Sequence, residues 1–405
     1  MARRRTKKRE TRSAAATAAA IAVTVGAAAL MALVARNAAI DAGRLPAPAE
    51  KLNMRLALAA AARPVPALPD GPLAAARGGA AAEPLAWEPF FVAGRAAEQA
   101  GRYQDAMRLM EEARRRRPSY SPARLLLMGY YARFARYDEA LAEADAAMRL
   151  SSQARIAIVP VLADMIRYPG ARPGLAAALA EDPVWREAFV AAARDKARPE
   201  DVAALLAELR RRRPAHGAGL EAALLVQTLV RSGRFAEGRA EWLKLVPPAE
   251  RARAGLVFDG DFVGARAPAP FNWSFASGEG GRAEIARAGG GEPAHLSVSY
   301  FGAQAAMLAE QTLVLTPGRY LLSVGVKGDR QQLSGEISWR VRCLPAGPEL
   351  GALRLQQFRP AYVGERLAFA VPAGCSAQKL VLAGAPGDLA QPVNVDFAQM
   401  RLVRQ

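Results

Sequence analysis

Glu336-Ile337-Ser338-Trp339-Arg340-Val341-Arg342-Cys343 decides how the carboxy-terminal part of the chain is read. Apolar and polar side chains alternate without a break, which is the period of a β-strand with one buried and one solvated face. Ile337, Trp339, Val341 and Cys343 fall on one side; Glu336, Ser338, Arg340 and Arg342 fall on the other. A helix would scatter both sets around its axis. The apolar row, Trp339 included, is expected in a core. The polar row makes Glu336, Arg340 and Arg342 candidate ligand contacts, against the competing reading of an ordinary solvated sheet face.

The same alternation continues outward through Ser297 to Tyr300, Tyr320 to Lys327, Arg366 to Val371 and Lys379 to Leu382. Turn signals at Pro317-Gly318, Gly328-Asp329 and Pro386-Gly387-Asp388 separate these runs. Eight or nine strands over about 150 residues, from 251 to 405, predict an antiparallel β-sandwich of jelly-roll size. At its edges, Leu256-Val257-Phe258-Asp259-Gly260-Asp261-Phe262, followed by Pro270-Phe271-Asn272-Trp273, resembles the opening strand of jelly-roll carbohydrate-binding modules. Val395-Asp396-Phe397-Ala398-Gln399-Met400-Arg401-Leu402 resembles the closing strand. The resemblance implies that these two strands are neighbours and that acids near their ends hold a structural calcium, matched here by Asp261 and Asp396. Val263 stands where that family has Glu, and no second Asp lies beside Asp396. Glycan binding is implied as well, with Trp273 a candidate contact; Phe271, Trp273 and Tyr300 are each open to a core or a platform role. Cys343 and Cys375 are the two cysteines of the chain, and in an oxidising compartment they are expected to form a disulfide rather than remain two thiols.

Before the sandwich the period changes to that of helices, and it repeats. Gly101-Arg102-Tyr103-Gln104-Asp105-Ala106 returns as Ala135-Arg136-Tyr137-Asp138-Glu139-Ala140, and Gly233-Arg234-Phe235-Ala236-Glu237-Gly238 is a third copy. These residues resemble tetratricopeptide repeats. In the first unit Gly94 lies on one helix, Gly101 and Tyr103 at the turn, Ala106 and Ala113 on the second helix, and Pro118 closes the unit. The second keeps Tyr131, Tyr137, Ala140 and Ala147 but has Ser152 in place of the proline; the third keeps Leu225, Phe235 and Trp242. Between them Ala154 to His216 reads as helical without keeping the period. The resemblance implies a solenoid over residues 85–250 that binds protein partners in a groove.

Ser13 to Ala35 carries no charge, and as a helix its 23 residues would span about 34 Å, enough for a hydrocarbon core of about 30 Å. Seven cations in residues 1–12 against the single acid Glu10 orient that span with its amino terminus in the cytoplasm. A cleaved signal peptide and a buried helix of a soluble protein are the competing readings; against the first, Ala35 has Leu33 at minus three and Ala38 has Arg36, so no small-x-small site follows. A bacterial inner-membrane protein, single-pass and with its bulk in the periplasm, is expected. Ala22 and Gly26 are a small-x-x-x-small pair, too common in an Ala-rich helix to settle whether the chain forms homo-oligomers. Residues 36–84 are rich in Ala and Pro and read as a linker with a short helix near 51–62.

The formal charge of +17 invites a nucleic-acid partner, yet of 55 cations only 7 are Lys, a bias of composition rather than of site. Arg114 to Arg117 and Arg210 to Arg213 each end a predicted helix directly before a proline, where cations offset the helix dipole. No aromatic residues are interleaved for base stacking, so no nucleic-acid partner is expected. His216 and His295 are the two histidines and lie in different domains; no metalloprotease, nucleophile-elbow or P-loop pattern is present. Gly278-Glu279-Gly280-Gly281-Arg282-Ala283 leaves no room for the helix a dinucleotide needs. The expectation is a multidomain α plus all-β chain, non-catalytic and without cofactor, that acts as a membrane-anchored scaffold or adaptor in cell-envelope or exopolysaccharide assembly. An envelope glycan-modifying enzyme with carboxylates invisible in the spacing, and an adaptor whose sandwich binds protein, are the alternatives.

Overall fold

A computed structural model of the chain describes residues 85–212, 219–287, 289, 293–329 and 332–405, with isolated positions 57, 58, 61, 74 and 78. The expected basic tail, membrane span and most of the linker lie outside the described residues. Among the described residues no helix is long and apolar enough to cross a membrane. Contacts divide the chain into two units, 1–216 and 217–405.

In the first unit, α1 (Glu88–Gln99) and α2 (Tyr103–Arg116) form a hairpin, and α3 (Ser121–Arg133) with α4 (Tyr137–Leu150) forms another. Each hairpin turns through a residue with positive φ, Gly101 at +74° and Ala135 at +58°. In both, a following arginine amide reaches back to the helix, Arg102 to the Ala97 carbonyl and Arg136 to the Tyr131 carbonyl, each at 2.8 Å. That left-handed closure stops a helix by satisfying its last carbonyls. Small residues then let the helices meet: Ala106, Ala113, Ala140 and Ala147 are buried, and a Cβ at Gly94 would stand 2.9 Å from the Met110 Cε. Tyr131 donates to the Glu111 carboxylate at 2.6 Å, and burial, reinforced by that bond, pushes its phenol well up. Gly170 takes the ring of Tyr137 at 2.9 Å from its ideal Cβ position, and Arg133 lies 3.9 Å over the Tyr103 ring. Ahead of α1, Ala57 and Ala61 are buried helical positions, and Arg95 donates to the Ala61 carbonyl at 2.8 Å.

Two buried carboxylates join these helices. Glu143 of α4 accepts from Arg114 at the end of α2 and from Arg124 of α3, the latter at 2.7 Å. Asp201 accepts from Arg172 at 2.6 Å and from Arg198 at 2.8 Å. The first arginine tetrad is therefore bound within the unit: Arg115 and Arg116 pair with Glu112, Arg116 also covers the Phe90 ring, and Arg117 lies 5.0 Å over Trp87. Beyond α4 the hairpin order fails. Of α5 (Ser152–Met165), α6 (Arg172–Ala180), α7 (Arg186–Arg194) and α8 (Pro199–Arg212), α5 packs on α7 and α6 on α8. Interleaved packing of this kind has no reason to keep a hairpin period, and the sequence there does not.

The second unit begins with a hairpin of its own, α9 (Leu220–Arg231) and α10 (Phe235–Leu245), turned through Gly233 at φ +75°. The sequence pattern assigns this pair to the helical array and puts the boundary at 250. Side chains assign it to the sandwich: Trp242 of α10 is buried against Phe258 and Phe271, its ring 4.9 Å from that of Phe258, and its indole N–H donates to the Pro268 carbonyl at 2.7 Å. Phe235, the repeat-signature residue, is buried as well.

The sandwich has β1 (Ser274–Phe275), β2 (Ser277–Gly278), β3 (Gly281–Ala286), β4 (His295–Tyr300), β5 (Ala306–Leu313), β6 (Gly318–Gly328), β7 (Gln332–Cys343), β8 (Glu349–Gln357), β9 (Val363–Val371), β10 (Gln378–Ala385) and β11 (Val393–Arg404). One sheet runs β1-β5-β10-β7-β8 and the other β2-β3-β4-β11-β6-β9, every pair antiparallel. The pairs β4–β11, β5–β10, β6–β9 and β7–β8 are nested like one long hairpin rolled upon itself, which is a jelly roll. Ile337, Trp339 and Val341 project into the core with Leu380, Leu382, Tyr300 and Phe397, all fully buried.

One expected strand is absent. Leu256 to Phe262 forms a turn with a single bridge between Ala254 and Phe258, because Asp259 and Phe262 both have positive φ, +49° and +51°. Asp259 is buried, and its carboxylate accepts from the amides of Val263, Gly264 and Ala265 at 2.9 to 3.1 Å. The turn still meets the last strand. A bulge in β11 between Ala398 and Arg401 brings the Met400 amide within 2.8 Å of the Gly260 carbonyl, at a place where a Cβ on residue 260 would overlap the Met400 carbonyl.

Candidate functional site

Pairing register shows what the polar row of β7 faces. Arg342 lies opposite Lys379 of β10 and Glu349 of β8; Arg340 lies opposite Val381 and Ala352; Ser338 lies opposite Ala383 and Arg354. On the far side of β10, β5 places Thr312 opposite Lys379 and Glu310 opposite Val381. Since residues two apart on a strand share a face, these side chains lie on the side of the five-stranded sheet away from Trp339, where Thr312 and Ser338 are buried and the charged side chains form the surface.

Most of its charges are paired. Arg340 donates to Glu336 at 2.7 Å and to the Ser338 hydroxyl at 2.9 Å, with Glu349 at 3.7 Å. Glu336 also has Arg354 at 3.6 Å, and Lys379 pairs with Glu310 at 2.9 Å. Arg342 is exposed and has no hydrogen bond or ion pair among the described residues. The surface thus offers guanidinium and ammonium donors beside carboxylate acceptors, held in place by one another. A polyhydroxylated ligand needs both kinds of partner.

The expected site residues separate into three groups. Glu336, Arg340 and Arg342 share this face. Trp273 does not: it is 6% exposed, its ring lies 5.4 Å from Phe262 and 5.7 Å from Trp339, and its indole donates to the Asp259 carbonyl. It is a core residue, and Phe271 and Tyr300 are buried with it. Asp261 and Asp396 have separate partners, Arg401 at 2.6 Å for the first and His295 at 3.7 Å for the second. Among the described residues no group of three or more His, Cys, Asp or Glu is placed to hold a metal ion. Cys343 and Cys375 are joined in a disulfide with a Cα separation of 5.6 Å. It ties the end of β7 to the segment entering β10, so the strands carrying Arg342 and Lys379 are held together covalently.

Lys379, Glu310, Glu349 and Arg354 belong to the face and were not legible beforehand. They come from strands separated in sequence, and only the rolled order of β5, β10, β7 and β8 makes them neighbours.

No family model matches the chain, and no curated protein matches it. Among solved structures, a family 16 carbohydrate-binding module is 18% identical over 31% of this chain and 87% of its own, with a TM-score of 0.24. The module TmCBM61, solved with β-1,4-galactotriose, is 12% identical over 33% of this chain and 88% of its own, at 0.24. A CBM4 structure is 13% identical over 37% of this chain and 97% of its own, at 0.28. Neither ligand nor function follows from scores so low; the jelly roll of this chain stands on its own strand order.

Proposed function

We propose that the chain is a non-catalytic, membrane-anchored scaffold whose sandwich binds an envelope or extracellular polysaccharide and whose helical hairpins, resembling tetratricopeptide repeats, hold a protein partner. The observation that carries the glycan reading is the network on the five-stranded sheet, where Glu336, Arg340, Glu349 and Arg354 stand together as donors and acceptors. Binding rather than catalysis is favoured because each carboxylate of that array is engaged by a cation. Support for an exported location comes from the disulfide, which persists in oxidising compartments, and from the uncharged stretch at 13–35 behind a basic tail.

Native affinity electrophoresis of the full chain in gels containing acidic or neutral polysaccharides tests the reading. Retardation by at least one polymer, lost in Arg340→Ala at unchanged fold, is expected; absence of retardation by all of them contradicts it. Protease accessibility in spheroplasts tests the topology, with digestion of the bulk from outside as the expected result.

A further inference from the structure

Arg342 and Lys379 stand directly opposite each other on adjacent strands. Like charges in that position repel across about 5 Å and weaken a sheet. Lys379 is relieved by Glu310 at 2.9 Å. Arg342 is not relieved: Glu349, its neighbour on the other side, is turned to Arg340 at 3.7 Å, and no ion pair reaches Arg342 among the described residues. An exposed guanidinium directly opposite an ammonium is a place where an anion from outside would complete the arrangement.

We propose that Arg342 and Lys379 form an anion-binding point for the carboxylate of an acidic sugar, so that the ligand of this face is a uronate-type polysaccharide. This rests on the glycan-binding reading and narrows it. The remainder of the face suits a sugar chain: Glu349 lies in the row of Arg342, Glu310 one row and Glu336 three rows away, and their carboxylates accept hydrogen bonds from sugar hydroxyls. A nucleic acid would require stacking aromatics, and the residues facing outward on β7 and β10 are Glu336, Ser338, Arg340, Arg342, Lys379, Val381 and Ala383.

Native affinity electrophoresis of the full chain with alginate, a neutral β-glucan and single-stranded DNA as separate probes tests the proposal. Alginate should retard the chain most, and less as salt rises. Arg342→Glu should weaken alginate binding by about tenfold or more, with an intact fold verified by its melting curve. Equal retardation by alginate and β-glucan, unaffected by Arg342→Glu, would overturn the anion point and leave the glycan site standing. No retardation by either polysaccharide would overturn both. Retardation by DNA as strong as by alginate would make the face a general polyanion binder and overturn the proposal.

Discussion

Arginine does different work in the helical hairpins and on the five-stranded sheet. Arg114 and Arg124 converge on the buried Glu143, and Arg172 reaches the buried Asp201, so these guanidinium groups fasten one helix to another, while the exposed Arg198 meets Asp201 from the start of the same helix. On the sheet Arg340 is fastened to Glu336 but remains at the surface, and Arg342 is fastened to nothing among the described residues. The lesson is that net charge says little about partners in this chain. A guanidinium buried against an acid joins elements of the fold, and one left exposed on the five-stranded sheet is available for contact whether or not a carboxylate steadies it.

The two regions differ most in how each is held. In the sandwich the strands of the candidate face are joined by Cys343–Cys375, at a sequence separation of 32. Replacing both cysteines by serine should lower sandwich stability by roughly 3.5 to 4 kcal/mol in the chain-entropy account, read as a shift of its denaturation midpoint; an unchanged midpoint would show that the bond constrains little. In the helices the equivalent fastening is ionic. Glu143→Ala leaves two guanidinium groups around an uncompensated pocket and should cost about 3 kcal/mol, the lower end for a broken buried pair because Arg114 is 34% exposed. Urea denaturation checks this, and a loss near zero would mean that Glu143 is no hub.

Backbone geometry gives smaller effects. Gly260→Ala drives a methyl into the Met400 carbonyl and should cost about 2 kcal/mol as overpacking. Ala135→Gly should act oppositely, stabilising the second hairpin by up to about 1 kcal/mol, since Ala135 holds the positive φ that Gly101 and Gly233 hold in the other two turns. A calorimetric scan that shows Ala135→Gly neutral would indicate that the turn is set by its neighbours.

These turns also show how far the sequence reaches. The recurrence of Gly101, Ala135 and Gly233 marks three hairpins because each turn is a local event. Strict alternation around Trp339 marks a strand and its two faces for the same reason. What escapes is what depends on distant neighbours. Trp242 has the spacing of a repeat residue, yet its burial is supplied by Phe258 and Phe271 of the sandwich. The segment from Leu256 to Phe262 has the composition of a strand, while Asp259 and Phe262 take left-handed backbone to fit the β11 bulge. Half of the candidate face was visible as Glu336, Arg340 and Arg342. The other half, Lys379, Glu310, Glu349 and Arg354, became adjacent only through the jelly-roll order.

If the chain binds glycan, the five-stranded sheet is the face proposed to do so. Arg340→Ala on that face and Arg366→Ala on β9 of the other sheet, both in the full chain and both verified as folded by their melting curves, are compared by affinity electrophoresis in the polysaccharide that retards the wild type. Loss of retardation in Arg340→Ala with full retardation in Arg366→Ala is the predicted result. Equal retardation of both variants, or loss confined to Arg366→Ala, would contradict it.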